Sequence, residues 1–530
     1  MELMFIGADH EVTGSCHYLN VGDMNILVDY GMEQGVNMYE NANLPVDEAV
    51  IDAVLLTHAH VDHSGMLPRL YARGFRGKIY CTFATADLCS IMLRDCAHIQ
   101  QQEAEWKNRK AKRGGGKEIE PVYSMEDADN TIKMLAPCPY GERINILDGV
   151  DIRFTDVGHL LGSSSIEVWA SEDGEERKIV FSGDIGNFDQ PLIRNPQYTS
   201  YADYVVMEST YGNRYHEASK ADGVTELASH IQKTLDRGGN LVIPSFAVGR
   251  TQEILYFIRQ IKAEGLVTGH DDFPVYVDSP MAVEATSVFQ KNIRECFSDE
   301  ALALVNKGIN PIRFPNLRLL ITSDESRFIN ADPEPKVIIS ASGMCEAGRI
   351  RHHLKHNLWR PECTVLFVGY QAVGTLGRAL VEGANEVKLF GETVEVYAHI
   401  EQMVGLSGHA DRKGLMAWAS AFTNVPDRYF VVHGDDESVE ALTGAIRNEL
   451  NAEVDAPYSG SRFDLIEGKF IFRAKPVAVS KKKIVSEVFA RLEAAGQRLL
   501  AVIQHNKGGA NKDLAKFADQ INSLCDKWDR

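Results

Sequence analysis

Short apolar runs that stop on a polar or charged residue recur through the first two hundred positions. Residues 3–6, 25–28 and 51–56 read as strands, the second ending at Asp29 and the third at Thr57-His58. Residues 152–157 lead into Gly158-His159, residues 178–182 into Gly183-Asp184, and residues 204–207 into Glu208. Strand-end loops let side chains far apart in sequence converge on one rim. From residue 240 the pattern changes to strand, loop and helix in succession, at 240–244, 275–277, 336–339 and 364–368. That alternation predicts a parallel sheet flanked by helices, with its ligand at the carboxyl ends of the strands. A long helix is expected over residues 84–113. Beyond residue 477, Val485, Val488, Leu492, Ala495, Leu499 and Val502 form one helical stripe, and Leu514, Phe517, Ile521, Leu524 and Trp528 a second.

The run 57–65 changes the picture. His58, His60, Asp62 and His63 fall within six residues, a density that suits neutral imidazole and carboxylate ligation of zinc or a similar borderline metal. In a turn leaving a strand, His58 and His60 can reach one ion while Asp62 and His63 reach a second. His159 is then a third ligand for the first ion, Asp184 a bridge, and Asp29 a hydrogen-bond acceptor that fixes a liganding histidine. His10, His17 and His399 read as structural.

Composition narrows the class. At 530 residues the chain exceeds one ordinary domain. No apolar run approaches membrane-spanning length, the first residues lack a basic leader, and the nine cysteines contain no Cys-x-x-Cys pair. A cytoplasmic protein with no membrane partner is expected. A net charge of −19 argues against nonspecific coating of nucleic acid, yet leaves room for a nucleic-acid substrate where metal ions supply the positive field. The most basic segment, Lys107 to Arg113, reads as a solvated helix end, with a phosphate-contacting flap as the alternative. In the middle of the chain Arg250, Arg349 and Arg378 follow predicted strands in loops rich in serine and glycine, each offering a bidentate fork for a polyanion.

The ordered motifs Asp29, Thr-His58-x-His60-x-Asp62-His63, His159 and Asp184 resemble the metallo-β-lactamase superfamily. The segment carrying Ser245-Phe246-Ala247-Val248-Gly249-Arg250, Asp278-Ser279-Pro280-Met281, Ser342-Gly343-Met344-Cys345 and Gly369-Tyr370-Gln371 is similar to the β-CASP cap of its nucleic-acid-processing members. Glu208, His409 and His433 match motifs A, B and C of that family. The resemblance implies an α/β fold: a metallo-β-lactamase αββα sandwich with an inserted β-CASP cap domain and a C-terminal helical tail. Its implied boundaries are 1–208 and 392–476 for the two parts of the hydrolase domain, 209–391 for the cap and 477–530 for the tail.

Further implications come with it. Two zinc ions are held by His58, His60 and His159 on one side and Asp62, His63 and His433 on the other, with Asp184 bridging. A hydroxide between them attacks a phosphodiester of single-stranded RNA, and His409, held protonated by Glu208, is the general acid. Asp62 and Asp184 thereby join the catalytic set. Ser245, Arg250, Ser342, Arg349, Tyr370 and Arg378 are the candidate substrate contacts. A DNA nuclease of the same family is the nearest alternative; its members generally lack the motif C histidine, which favours RNA here. A small-ester hydrolase would leave the cap unexplained, and a non-catalytic paralogue would be expected to have lost ligands. The tail reads as a helical hairpin on the protein's own body, with homodimer or partner docking as the alternative.

Overall fold

The computed structural model describes the chain except residues 36, 113–118, 217–222, 404–405, 480–495, 497–498, 501, 504–505, 508–509 and 529–530. It divides into a unit of Met1–Cys96 with Met125–Val477 and a second of Ala97–Ser124 with Ala478–Arg530.

Two sheets form the base of the first unit. An eight-stranded sheet runs in the order Lys469–Phe472, Arg462–Asp464, Glu2–Gly7, Cys16–Val21, Met24–Val28, Ala53–Leu55, Lys78–Thr82 and Leu135–Cys138. A seven-stranded sheet runs Val454–Asp455, Arg428–Val432, Tyr204–Glu208, Glu175–Phe181, Ser164–Glu172, Val150–Asp156 and Ile144–Leu147. Strands between Arg428 and Phe472 thus complete both sheets begun before the cap.

Their facing side chains make one core, with Phe5, Leu19 and Ile26 from the first sheet and Phe154, Phe181 and Phe430 from the second. Full burial of a ring such as Phe430 stabilises the sandwich by ~1.5–3 kcal/mol. The strand Tyr204–Glu208 shows why its sequence is apolar without alternation. Tyr204 and Val206 enter that core, while Val205 and Met207 pack on the opposite face with Trp418 and Leu442. The helices Arg412–Ala419 and Asp436–Glu449 supply this outer cover.

The middle of the chain forms the expected parallel sheet. Its six strands, in order, are Leu317–Leu320, Val275–Asp278, Val337–Ser340, Leu241–Pro244, Thr364–Val368 and His399–Met403, and every pairing is parallel. The last strand pairs from Thr364↔His399 to Val368↔Met403, so this sheet extends beyond residue 391, where the sequence reading closed the cap. The reason is physical. His399–Met403 is an edge strand with mostly exposed side chains, and it lacks the apolar run that marks a central strand.

The predicted long helix spans Phe83–Lys112; Arg113 lies outside the described residues. In the second unit the helix Asn511–Trp528 carries Leu514, Phe517 and Ile521 half-exposed. Most of the first tail stripe (Val485, Val488, Leu492 and Ala495) lies outside the described residues. Among the described residues, no helix is long and apolar enough to cross a membrane.

Candidate metal centre

Each predicted ligand sits where a strand stops. His58, His60, Asp62 and His63 follow Ala53–Leu55, His159 follows Val150–Asp156, Asp184 follows Glu175–Phe181, and His433 follows Arg428–Val432. Close backbone approach packs these loops together. A Cβ on Gly31 would lie 1.6 Å from the Asp62 carbonyl oxygen, and one on Gly186 would lie 2.1 Å from the His159 nitrogen. Asp29, His159 and His433 themselves adopt left-handed conformations, with φ of 59°, 65° and 51°. Such strain persists only where surrounding structure over-determines it, and it is concentrated at functional sites.

Two groups of donors result. His58, His60, His159 and Asp184 bring one atom each within 4.8 Å of one another, and so do Asp62, His63 and His433. In the first, His60 Nδ1 lies 3.0 Å from His58 Nε2 and 3.1 Å from His159 Nε2. Asp184 Oδ2 is 3.5 Å from His58 Nε2 and 3.4 Å from His159 Nε2. In the second, His63 Nε2 and His433 Nε2 are 3.0 Å apart, and the other Asp184 oxygen, Oδ1, is 3.2 Å and 3.6 Å from them. Asp62 Oδ2 is 3.8 Å from His433 Nε2. Asp184 therefore touches both groups with separate oxygens.

The outward nitrogens are held by protein. His63 Nδ1 donates to Asp29 Oδ2 at 2.7 Å, and Asp29 in turn accepts from the Thr57 backbone and hydroxyl, both at 2.8 Å. His433 Nδ1 meets Thr210 Oγ1 at 3.2 Å, His58 Nδ1 meets Thr57 Oγ1 at 3.1 Å, and His159 Nδ1 donates to the Gly408 carbonyl at 3.3 Å. These partners fix each ring and aim its remaining nitrogen inward. Thr57, Thr210 and Gly408 were not singled out from the sequence, although each lies within two residues of a residue that was.

The donors fit a divalent cation. Burial, reinforced by neighbouring histidines, lowers the pKa of His58, His60 and His159 and keeps their lone pairs free. Burial opposes ionisation of Asp184, yet His433, His63 and His58 hold its carboxyl well below the usual range. Its Oδ1 is buried without a hydrogen-bond donor. A tetrahedral zinc with Zn–N of ~2.0–2.1 Å places its ligand nitrogens about 3.3 Å apart, close to the spacings found.

A third group adjoins these. Glu208, buried at the end of Tyr204–Glu208, lies with Oε1 3.3 Å from His409 Nδ1, and Asp184 Oδ2 is 3.9 Å from the same nitrogen. Glu208 also accepts from the Ile185 and Thr210 backbone. Burial disfavours the His409 imidazolium, but Glu208, joined by Asp184 and Asp62, outweighs it and lifts the pKa to about 9. The His409 loop is stitched to the Asp184 loop by Ala410 N–H donating to Ile185 O at 2.8 Å and Asn187 N–H donating to Gly408 O at 3.1 Å. His216 Nε2 donates to the His409 carbonyl at 2.9 Å; as a lone histidine five residues past Tyr211 it carried no signal of its own.

The predicted cap residues divide differently. The guanidinium of Arg250 is engaged by Glu253 and the Leu406 carbonyl. Arg349 Nη1 donates to Asp278 Oδ1 at 2.7 Å, and Arg378 Nε donates to Glu382 Oε1 at 2.7 Å. The forks expected to meet a polyanion are thus turned to carboxylates of the cap. The pairing carboxylates Glu253 and Glu382 lie three and four residues on, one helical turn, a spacing that allows pairing within the helix. Ser245 is buried, Ser342 is half-buried and Tyr370 is exposed. His10 donates to Asp436 and stacks on Tyr458, and His17 packs against Phe5 and Phe181.

A two-sheet sandwich with clustered His and Asp donors and a parallel-sheet insertion defines a metal-dependent hydrolase. Family models agree: the metallo-beta-lactamase superfamily domain matches residues 18–190, the Beta-Casp domain residues 251–380, and the Zn-dependent metallo-hydrolase RNA specificity domain residues 393–457. Ribonuclease TTHA0252 of Thermus thermophilus is 37% identical over 445 residues, 83% of this chain and 95% of that protein. Transcription termination factor FttA of Methanosarcina mazei is 31% identical over 85% of this chain and 69% of its own length, and that of Methanothermobacter thermautotrophicus 31% over 86% and 70%. The chain belongs to the β-CASP family of metallo-β-lactamase nucleases.

Proposed function

We propose that the protein is a zinc-dependent ribonuclease that hydrolyses phosphodiester bonds of single-stranded RNA at a two-ion site. His58, His60, His159 and Asp184 would hold one ion, and Asp62, His63 and His433, sharing Asp184, the other. When bound, such ions supply Lewis-acid stabilisation of charge on the phosphodiester. They would also supply positive field in a chain whose net charge is −19.

The chain's own residues handle the proton. Glu208 holds His409 Nδ1 and favours the imidazolium, which leaves Nε2 to donate to the departing ribose oxygen. This buried carboxylate and partly exposed imidazole, set against Asp184, are the observation that carries the reading. Ser342 and Tyr370 are the cap residues assigned to substrate, while the buried Ser245 and the paired Arg250 and Arg349 hold the cap loops and Arg378 pairs with Glu382 one turn on. His433 favours RNA over DNA, and the 37% identity to a protein named a ribonuclease supports the same choice.

The test is incubation of purified, zinc-loaded protein with end-labelled single-stranded RNA and DNA of matching sequence. Cleavage of RNA in preference to DNA is expected. Equal cleavage of both polymers, or of neither, sinks the reading.

A further inference from the structure

One cap loop that borders the metal-centre loops has its arginine paired and its aromatic ring in the open. Phe246, just past the strand Leu241–Pro244, is 53% exposed. Its backbone is nevertheless fixed. The Phe246 carbonyl accepts from Thr251 Oγ1 at 2.7 Å and Ser245 Oγ at 3.2 Å, and Ser245 N–H donates to Ser340 O at 3.1 Å. The ring lies against Gly343, where an added Cβ would stand 3.3 Å from its Cδ2 and Cε2 atoms. The ring is therefore backed by the main chain at Gly343 while about half of the residue, 53%, is open to solvent.

The same loop borders the donors of the metal centre. A Cβ on Gly249 would lie 3.1 Å from Leu160 Cδ1, and Leu160 follows His159. Arg250 hydrogen-bonds to the carbonyl of Leu406, two residues before Gly408, whose own carbonyl accepts from His159 Nδ1. A single exposed phenylalanine is ordinary on a protein surface. One on a hydrogen-bonded backbone, three residues before the Gly249 that packs on Leu160 and in a loop whose arginine is already paired, has a more specific use.

We infer that Phe246 is a base-stacking platform that seats one unpaired nucleobase of the substrate next to the cleavage site; this rests on the ribonuclease reading above. Stacking needs no net positive charge, which suits a chain of −19. It accepts any base, because every base has a π-face, and it requires that the base be free of a helix. The platform thereby makes single-strandedness a condition of tight binding.

The experiment measures kcat and KM of the zinc-loaded full chain on a short RNA and on a set of the same RNA with one abasic nucleotide moved along it. Phe246→Ala and Phe246→Leu should raise KM roughly 5- to 150-fold, the equivalent of ~1–3 kcal/mol per stacked base, with kcat and thermal melting little changed. Phe246→Trp should restore binding, since it keeps a π-face that leucine lacks. At one abasic position the wild type should lose as much as Phe246→Ala does, and the variant should lose nothing further. Wild-type KM in Phe246→Leu, or a loss that adds fully to every abasic substitution, overturns the assignment. An inactive wild type would instead indict the ribonuclease reading.

Discussion

The metal centre and the cap each bury a carboxylate against imidazole, several histidines in the first and His353 alone in the second, and they do so in opposite ways. In the cap, Asp278 accepts from Arg349 Nη1 at 2.7 Å, His353 Nε2 at 2.7 Å and Ser326 Oγ at 2.6 Å, and His353 Nδ1 meets Asn330 Oδ1 at 3.0 Å. Burial works against its charge, but these donors prevail and keep its pKa low. In the centre, Asp184 Oδ1 has only imidazoles beside it, His63 at 3.2 Å and His433 at 3.6 Å, without hydrogen-bond geometry, and imidazole nitrogens face one another at 3.0 Å. Buried polar groups are nearly always satisfied within a fold. A closed network is scaffold; an open one that converges on a point is built for something that enters it.

That contrast can be broken at several points. The largest effect is expected from Asp278→Ala, which strands His353 and Arg349 and should destabilise the cap by about 3–5 kcal/mol. Urea unfolding should show the loss while zinc content of the folded protein stays at the wild-type level; loss of zinc as well would mean that the two networks are not separate.

Asp156 supplies an intermediate case. It is buried with only partial compensation from the Gly158 N–H and Arg194, and its pKa is pushed up to about 7. The folded protein therefore holds a proton there that the unfolded chain releases near pH 4, so stability falls as pH rises from about 4 to about 7. Asp156→Asn should remove that slope and raise stability at pH 8 by roughly 1–3 kcal/mol. Identical pH profiles for variant and wild type would contradict the shift. The smallest effect is expected from Asp29→Asn, which weakens the grip on His63 Nδ1. Zinc affinity should fall roughly 10- to 100-fold in chelator competition, with the fold retained. Unchanged affinity would show that Asp29 does not tune the site.

The centre was legible in the sequence because its ligands had to stop strands. His58, His159, Asp184 and His433 each end or follow an apolar run, and the spacing of the first cluster has few other uses. The cap sheet was legible for the same reason in its four inner apolar strands. The strand His399–Met403 was missed as part of that sheet, since an exposed edge has no apolar signature. The partners of the arginines were not legible, because residue type gives a fork but not what it meets. Glu253 and Glu382, one turn on from Arg250 and Arg378, and Asp278, far off in sequence, decide where those forks go. Phe246 carries no signal in Ser245-Phe246-Ala247-Val248-Gly249-Arg250, because exposure on a fixed backbone is a property of the fold alone.

The most direct test of the account is His409→Ala, assayed for metal content by elemental analysis and for single-stranded RNA cleavage on the same preparation. The account predicts wild-type zinc content with cleavage reduced about 10²- to 10⁴-fold, the contribution of a positioned general acid. Loss of a metal ion would make His409 a ligand, and undiminished cleavage would remove it from the reaction; either result contradicts the account.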